Sequence, residues 1–74
     1  MQGVLVIGEK IEGNLFINAV EFPDGSQRKT HFQEHEGKKR LGAYEVDSYL
    51  VYFDEGGDPV HLYKRPNGLW FLDI

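Results

Sequence analysis

The chain contains no cysteine. Disulfide frameworks, thiolate metal centres and cysteine nucleophiles are therefore excluded together. Hydroxyl nucleophiles are almost as scarce. The serines are Ser26 and Ser48 and the one threonine is Thr30, and none sits in a strained-turn motif such as G-x-S-x-G. Alanine, the best helix former, occurs only at Ala19 and Ala43. No apolar run approaches the roughly 20 residues that a bilayer span requires. The first residues lack the basic start and long apolar stretch of a signal peptide. These absences lead to the expectation of a cytoplasmic chain with no membrane contact.

What is present points to a folded β domain. Leu, Ile, Val and Phe together number 22 of 74 residues, well above the roughly 20% at which chains become disordered. A chain of this length is read as one domain, residues 1–74. With no covalent staple, its stability rests on the core alone, at roughly 4–11 kcal/mol for this length. Five Phe, four Tyr and one Trp, with the Val and Ile residues, favour pleated surfaces. Six apolar runs stand out, at 3–7, 14–22, 27–33, 42–53, 60–65 and 69–74, with Gly, Pro, Asp and Asn between them. Connections this short join antiparallel neighbours, because a parallel crossover takes about a dozen residues or more.

The last hairpin is specified most fully. Pro66-Asn67-Gly68 forms a three-residue loop in which Gly68 supplies the left-handed position. Leu62 then faces Leu72, Val60 faces Ile74, and Lys64 lies beside Trp70 on one face. Tyr63 with Phe71 and His61 with Asp73 share the other. A slip by one residue would set Leu62 against Asp73 and move the apolar set to the wrong side. Pro23-Asp24-Gly25-Ser26 marks a second hairpin with two sensible registers. A three-residue loop pairs Phe16 with Phe32, and a four-residue loop pairs Ile17 with Phe32. The segment 42–53 reads as a strand kinked near Asp47-Ser48. A short helix within 43–53 is the alternative, since Val46, Tyr49, Leu50 and Phe53 also follow helical spacing.

Several runs are apolar on both parities, notably Val4-Leu5-Val6-Ile7, Leu15-Phe16-Ile17 and residues 49–53. A flat open sheet would leave one of those faces wet. The expected fold is therefore all-β: a small antiparallel meander of five or six strands closed into a barrel or roll, of SH3-like or OB-like size. An open sheet covered by a twin subunit is the rival.

Charge is uneven along the chain. The net charge is −4, yet Arg28, Lys29, Lys38, Lys39 and Arg40 make residues 28–40 a basic island. With His31 and Phe32 inside it, that island is a candidate surface for single-stranded nucleic acid. The competing reading is a solvated loop after Gly37 and a strand edge guarded by charge. The pI of about 5.2 is far below the value above about 9 usual in dedicated nucleic-acid domains.

Chemistry-bearing clusters are weak. His31 and His35 lie four apart, which on a strand separates them by about 13 Å, too far for one ion. No metal and no cofactor is expected. His61 opposite Asp73 is half of a triad without its nucleophile. The acids of Asp54-Glu55-Gly56-Gly57-Asp58 lack the EF-hand ligand spacing. No catalytic residue is assigned and an enzyme is not expected. Tyr63, Arg65, Leu69 and Phe71 combine aromatic, guanidinium and aliphatic groups on one face, the composition of interface hot spots. The leading expectation is a non-catalytic protein-binding module, a small bacterial or phage regulator or inhibitor, acting on a protein partner or by self-association as a homodimer.

Overall fold

A computed structural model describes residues 1–73. It is all-β. The strands are β1 (Gln2–Ile11), β2 (Asn14–Glu21), β3 (Gln27–Leu41), β4 (Tyr44–Phe53), β5 (Val60–Lys64) and β6 (Trp70–Asp73). Each pairs antiparallel with the next, and β6 closes onto β1, so the sheet is a barrel. Closure gives the inward side chains a common interior. Val4, Ile17, Val20, Tyr49, Val51, Phe53, Leu62 and Leu72 form the buried core, with Val6, Leu15, Phe22, Val60 and Trp70 packed on it.

Two hairpins use the same turn chemistry. In the last one, Arg65 N–H donates to Leu69 O at 2.8 Å and Gly68 adopts φ 87°. The register is the one that the turn implies: Leu62↔Leu72, Tyr63↔Phe71, Lys64↔Trp70 and His61↔Asp73. The expected Val60–Ile74 pair lies outside the described residues. Pro23-Asp24-Gly25 repeats the pattern, with Phe22 N–H donating to Ser26 O at 2.8 Å and Gly25 at φ 86°. In each loop the Asp24 or Asn67 side chain accepts from the backbone N–H two residues on. Of the two registers open to the second hairpin, the three-residue loop forms, giving Glu21↔Gln27, Val20↔Arg28 and Ala19↔Lys29.

That ladder then stops, and Phe16 does not pair with Phe32. A bulge at His31 carries β3 away from β2. Side chains span the resulting seam. Gln33 Oε1 accepts from Ile17 N–H at 2.6 Å, Gln33 Nε2 donates to Leu15 O at 2.7 Å, and the Thr30 hydroxyl donates to Ile17 O. The Gln33 carboxamide thus supplies the acceptor and donor that a neighbouring peptide group would offer.

Residues 8–11 and 34–41, left between the apolar runs in the sequence reading, are strand: β1 runs on to Ile11, paired with β2 as far as Ile11↔Asn14. Residues 34–41 are strand, not loop: β3 continues through them, paired with β4 as far as Leu41↔Tyr44. The ladder bonds decide this, because the segment has no apolar alternation of its own. Residues 44–53 are strand throughout, as the primary reading of 42–53 has it, and the helical alternative within 43–53 is wrong. Their helical spacing is the by-product of burial on both faces. Tyr49, Val51 and Phe53 enter the core, while Val46 and Ser48 are buried on the outer wall. The kink expected at Asp47-Ser48 is taken up opposite it, where β3 bulges between His35 and Gly37.

Candidate functional site

The register of β5 and β6 sets Tyr63 and Phe71 side by side on the outer wall. Arg65 follows the end of β5, two residues on from Tyr63 and just before the turn. The β3–β4 hairpin reaches across this wall. Its Tyr44 ring lies 3.9 Å from the Arg65 guanidinium, which is also 5.0 Å from the Phe71 ring. Lys39 Nζ stands 5.8 Å from the Tyr63 ring centroid. Beneath this cover Val46, Ser48 and Tyr63 are 3%, 1% and 5% exposed, a small second core outside the barrel. A cleft of about 250 Å³ opens beside it, lined by Met1, Leu41, Tyr44, Tyr63, Arg65 and Phe71 among others.

Phe71 also lines a second cleft of about 360 Å³, with Leu5, Phe22, Leu69 and Trp70. It is half-buried between the two. Around it Met1, Leu5, Tyr44 and Leu69 are each more than half exposed, at 68%, 64%, 51% and 54%. Of the four residues chosen for a protein-binding surface, Arg65 and Phe71 meet at the cleft, Leu69 stands in the adjoining one, and Tyr63 is largely covered. Sequence reasoning missed Tyr44, Leu41 and Met1, which arrive through long-range packing. Leu5 was readable as apolar on the outward parity of β1, although its exposure was not.

The basic residues are spread along β3. Nine residues separate Lys29 from Lys38, a span of up to about 30 Å along a strand. Arg28 pairs with Glu55 and lies 3.9 Å over the Phe53 ring, and Lys38 pairs with Asp47 at 3.2 Å. Arg40 stands opposite Glu45. The candidate set Arg28, Lys29, Lys38, Lys39 and Arg40 is therefore not gathered into one patch. His31 and Phe32 do share a cleft of about 330 Å³ at the seam, and Phe16 from β2 joins them there.

Two polar groups converge on Glu36, the extra residue of the second β3 bulge. Ser48 Oγ donates to Glu36 Oε1 at 2.9 Å, and His61 Nδ1 lies 2.9 Å from the same oxygen. The Ser48 hydroxyl, followed by the His61 hydrogen bond and charge, holds the Glu36 carboxyl below its ordinary range despite partial desolvation. His61 thus engages Glu36 and not its cross-strand neighbour Asp73, whose Oδ2 instead accepts a long 3.4 Å bond from the Tyr63 hydroxyl. Burial, then the charge of Asp73 and this bond, push the Tyr63 phenol above its ordinary range. The carboxylate stands between hydroxyl and imidazole, whereas a triad needs the imidazole on the hydroxyl. His35 stacks on Tyr49 at 4.6 Å, with Nε2 3.5 Å from Asp47 Oδ1. Among the described residues no helix is long and apolar enough to cross a membrane.

The fold and this face define a class: a small closed six-stranded antiparallel barrel with an aromatic–arginine outer wall. Comparison with protein-family models, curated proteins and solved structures finds no match to this chain.

Proposed function

We propose that this chain is a non-catalytic protein-binding module whose contact surface is the outer wall around Phe71. The observation that carries this reading is the position of Phe71, half-buried between two apolar clefts and ringed by exposed Met1, Leu5, Tyr44 and Leu69. A central anchor beside pockets, inside a ring of exposed apolar groups, is the anatomy of an energetic hot spot. Contiguous exposed apolar surface on a small domain marks an interaction site more often than a packing defect. In this reading the protein is a cytoplasmic regulator or inhibitor of the bacterial or phage type, acting on another protein or as a homodimer.

The test is a double variant, Leu5→Ser with Leu69→Ser. Both side chains are mostly in water, so the fold should survive within about 0.5 kcal/mol. Sedimentation velocity reads self-association, and pull-down with immobilised protein reads partner capture. A wild-type chain that is dimeric or retains a partner, with loss of that behaviour in the folded variant, supports the proposal. Identical assembly and capture by both proteins would dismiss it.

A second reading, single-stranded nucleic acid at the seam, draws on the cleft shared by Phe16, His31 and Phe32. Stacked bases on such a platform would add about 1–3 kcal/mol each. Fluorescence titration with oligonucleotides at low salt decides it: absence of binding at high micromolar protein removes this reading.

A further inference from the structure

The guanidinium of Arg65 is held in an unusual way for this chain. It lies 3.9 Å from the centroid of the Tyr44 ring and 5.0 Å from that of the Phe71 ring. Stacking of this kind uses the faces of the planar group and leaves its N–H edge free to donate. Among the described residues no carboxylate lies within 4.0 Å of Arg65, and of the other Lys and Arg side chains only Arg28 and Lys38 have one. Acid is not in short supply, since Asp and Glu number 12 against 8 Lys and Arg. A half-buried cation against two rings, with no carboxylate partner among the described residues, therefore lines an apolar cleft.

Resting on the protein-binding reading above, we infer that Arg65 is a carboxylate-recognition point. The protein partner presents an Asp or Glu side chain to the guanidinium edge, and a neighbouring apolar side chain enters the cleft beside Phe71. Charge complementarity selects this occupant. A guanidinium fork matches a carboxylate with two parallel hydrogen bonds, and the low-polarity walls strengthen them relative to water. Lys39, over the Tyr63 ring on the same wall, adds positive potential. A phosphate dianion fits less well, because such groups favour a cluster of Arg residues and no second arginine lines this cleft among the described residues. The recognised element is thus a short acidic–apolar segment of a protein.

The probe is a displayed library of random dodecapeptides panned on the full chain. Enriched peptides are then measured by fluorescence anisotropy against wild type, Arg65→Gln, Arg65→Lys and Phe71→Ala. The expected peptides carry Asp or Glu within two positions of an aromatic or branched aliphatic residue. Arg65→Gln should weaken them at least 10-fold. Arg65→Lys should recover only part of that loss, because an ammonium lacks the planar fork. Replacing the peptide's acid by its amide should cost wild-type binding the same factor and leave Arg65→Gln binding unaltered. That substitution leaves the protein untouched, so it decides the matter even if a variant folds poorly. Peptides that depend on Phe71 but carry no acid, or that bind Arg65→Gln undiminished, overturn the carboxylate inference and leave the protein-binding reading standing. If no peptide is enriched, or enriched peptides ignore Phe71→Ala, both fall.

Discussion

Gln33 makes two of the three side-chain hydrogen bonds described across the seam between β2 and β3, and its removal has a calculable effect. Gln33 replaces a missing stretch of ladder by accepting from Ile17 N–H at 2.6 Å and donating to Leu15 O at 2.7 Å, both at partly buried positions. Gln33→Leu keeps the bulk and deletes both bonds. Each net hydrogen bond contributes about 0.5–1.5 kcal/mol, and a backbone group left unpaired out of water costs about 1–3 kcal/mol. Water reaches this seam in part, so the expected loss is about 2–3 kcal/mol. Against a total of roughly 4–11 kcal/mol for a chain this size, that is a large fraction. At about 4–8 °C per kcal/mol for small domains, the melting midpoint should fall by roughly 10–20 °C. Urea denaturation gives the free energy, and amide exchange locates it. Ile17 N–H should lose protection while Val20, in the intact ladder, keeps its own. Gln33→Glu refines the test. It retains the acceptor but turns a carboxylate oxygen toward Leu15 O, so protonation should restore a donor and its deficit relative to wild type should shrink as pH falls. A Gln33→Leu protein within about 0.5 kcal/mol of wild type, with Ile17 still protected, would refute this account of the seam.

Two further predictions concern the bulges. A Cβ on Gly8 would lie 2.4 Å from Phe16 O and 3.3 Å from Ile17 Cα, both backbone atoms of the facing strand. Gly8→Ala should therefore part β1 from β2 at their bulge and cost about 1–3 kcal/mol, as overpacking does; a urea midpoint equal to wild type would contradict that geometry. The Glu36 carboxyl is held below its ordinary value by the Ser48 hydroxyl and by His61. A lowered folded pKa gives stabilisation that is full above the unfolded carboxylate range and lost as pH falls through the folded value. Glu36→Gln should accordingly be less stable than wild type near neutrality, with the gap closing below about pH 4 as both carboxyl-bearing states protonate. A gap independent of pH, measured by denaturation across that range, would show that Glu36 acts by packing alone.

How far the fold could be read from residues depended on whether local chemistry or distant packing set each part. The turn Pro66-Asn67-Gly68 fixes the register of its whole hairpin, and with it the neighbourhood of Tyr63, Arg65 and Phe71. The same chemistry at Pro23-Asp24-Gly25 fixes three pairs and no more, because the bulge at His31 lies beyond the turn's influence. Residues 34–41 resemble a loop by composition, since Glu, His, Lys and Arg alternate with no buried parity. They are strand because β4 offers them a ladder. The partner of His61 was misread for a related reason. Cross-strand register gave Asp73 correctly as its neighbour, but a bulge in a different strand delivers Glu36 closer. Tyr44 and Phe16 joined their clusters through an arm and a seam, neither of which has a signature in periodicity.

The runs that are apolar on both parities meet two different fates, and the difference bears on the proposed surface. Barrel closure buries the inward set. On the outer wall, the β3–β4 hairpin covers Val46, Ser48 and Tyr63, while Leu5 and Ile7 on β1 remain 64% and 41% exposed. The edges differ as well. β3 beyond the seam carries Lys38, Lys39 and Arg40, charges that discourage a further strand from pairing. β1 from Leu5 to Ile11 pairs with β2 alone among the described residues, since its ladder with β6 ends at Val4↔Trp70. This stretch has an apolar outward parity and only Glu9 and Lys10 as charged residues. An uncovered and lightly guarded edge thus adjoins the cleft that Leu5 shares with Leu69 and Phe71. The second apolar face is thus covered within the chain at the β4 end, whereas at the β1 end Leu5 and Ile7 stay exposed.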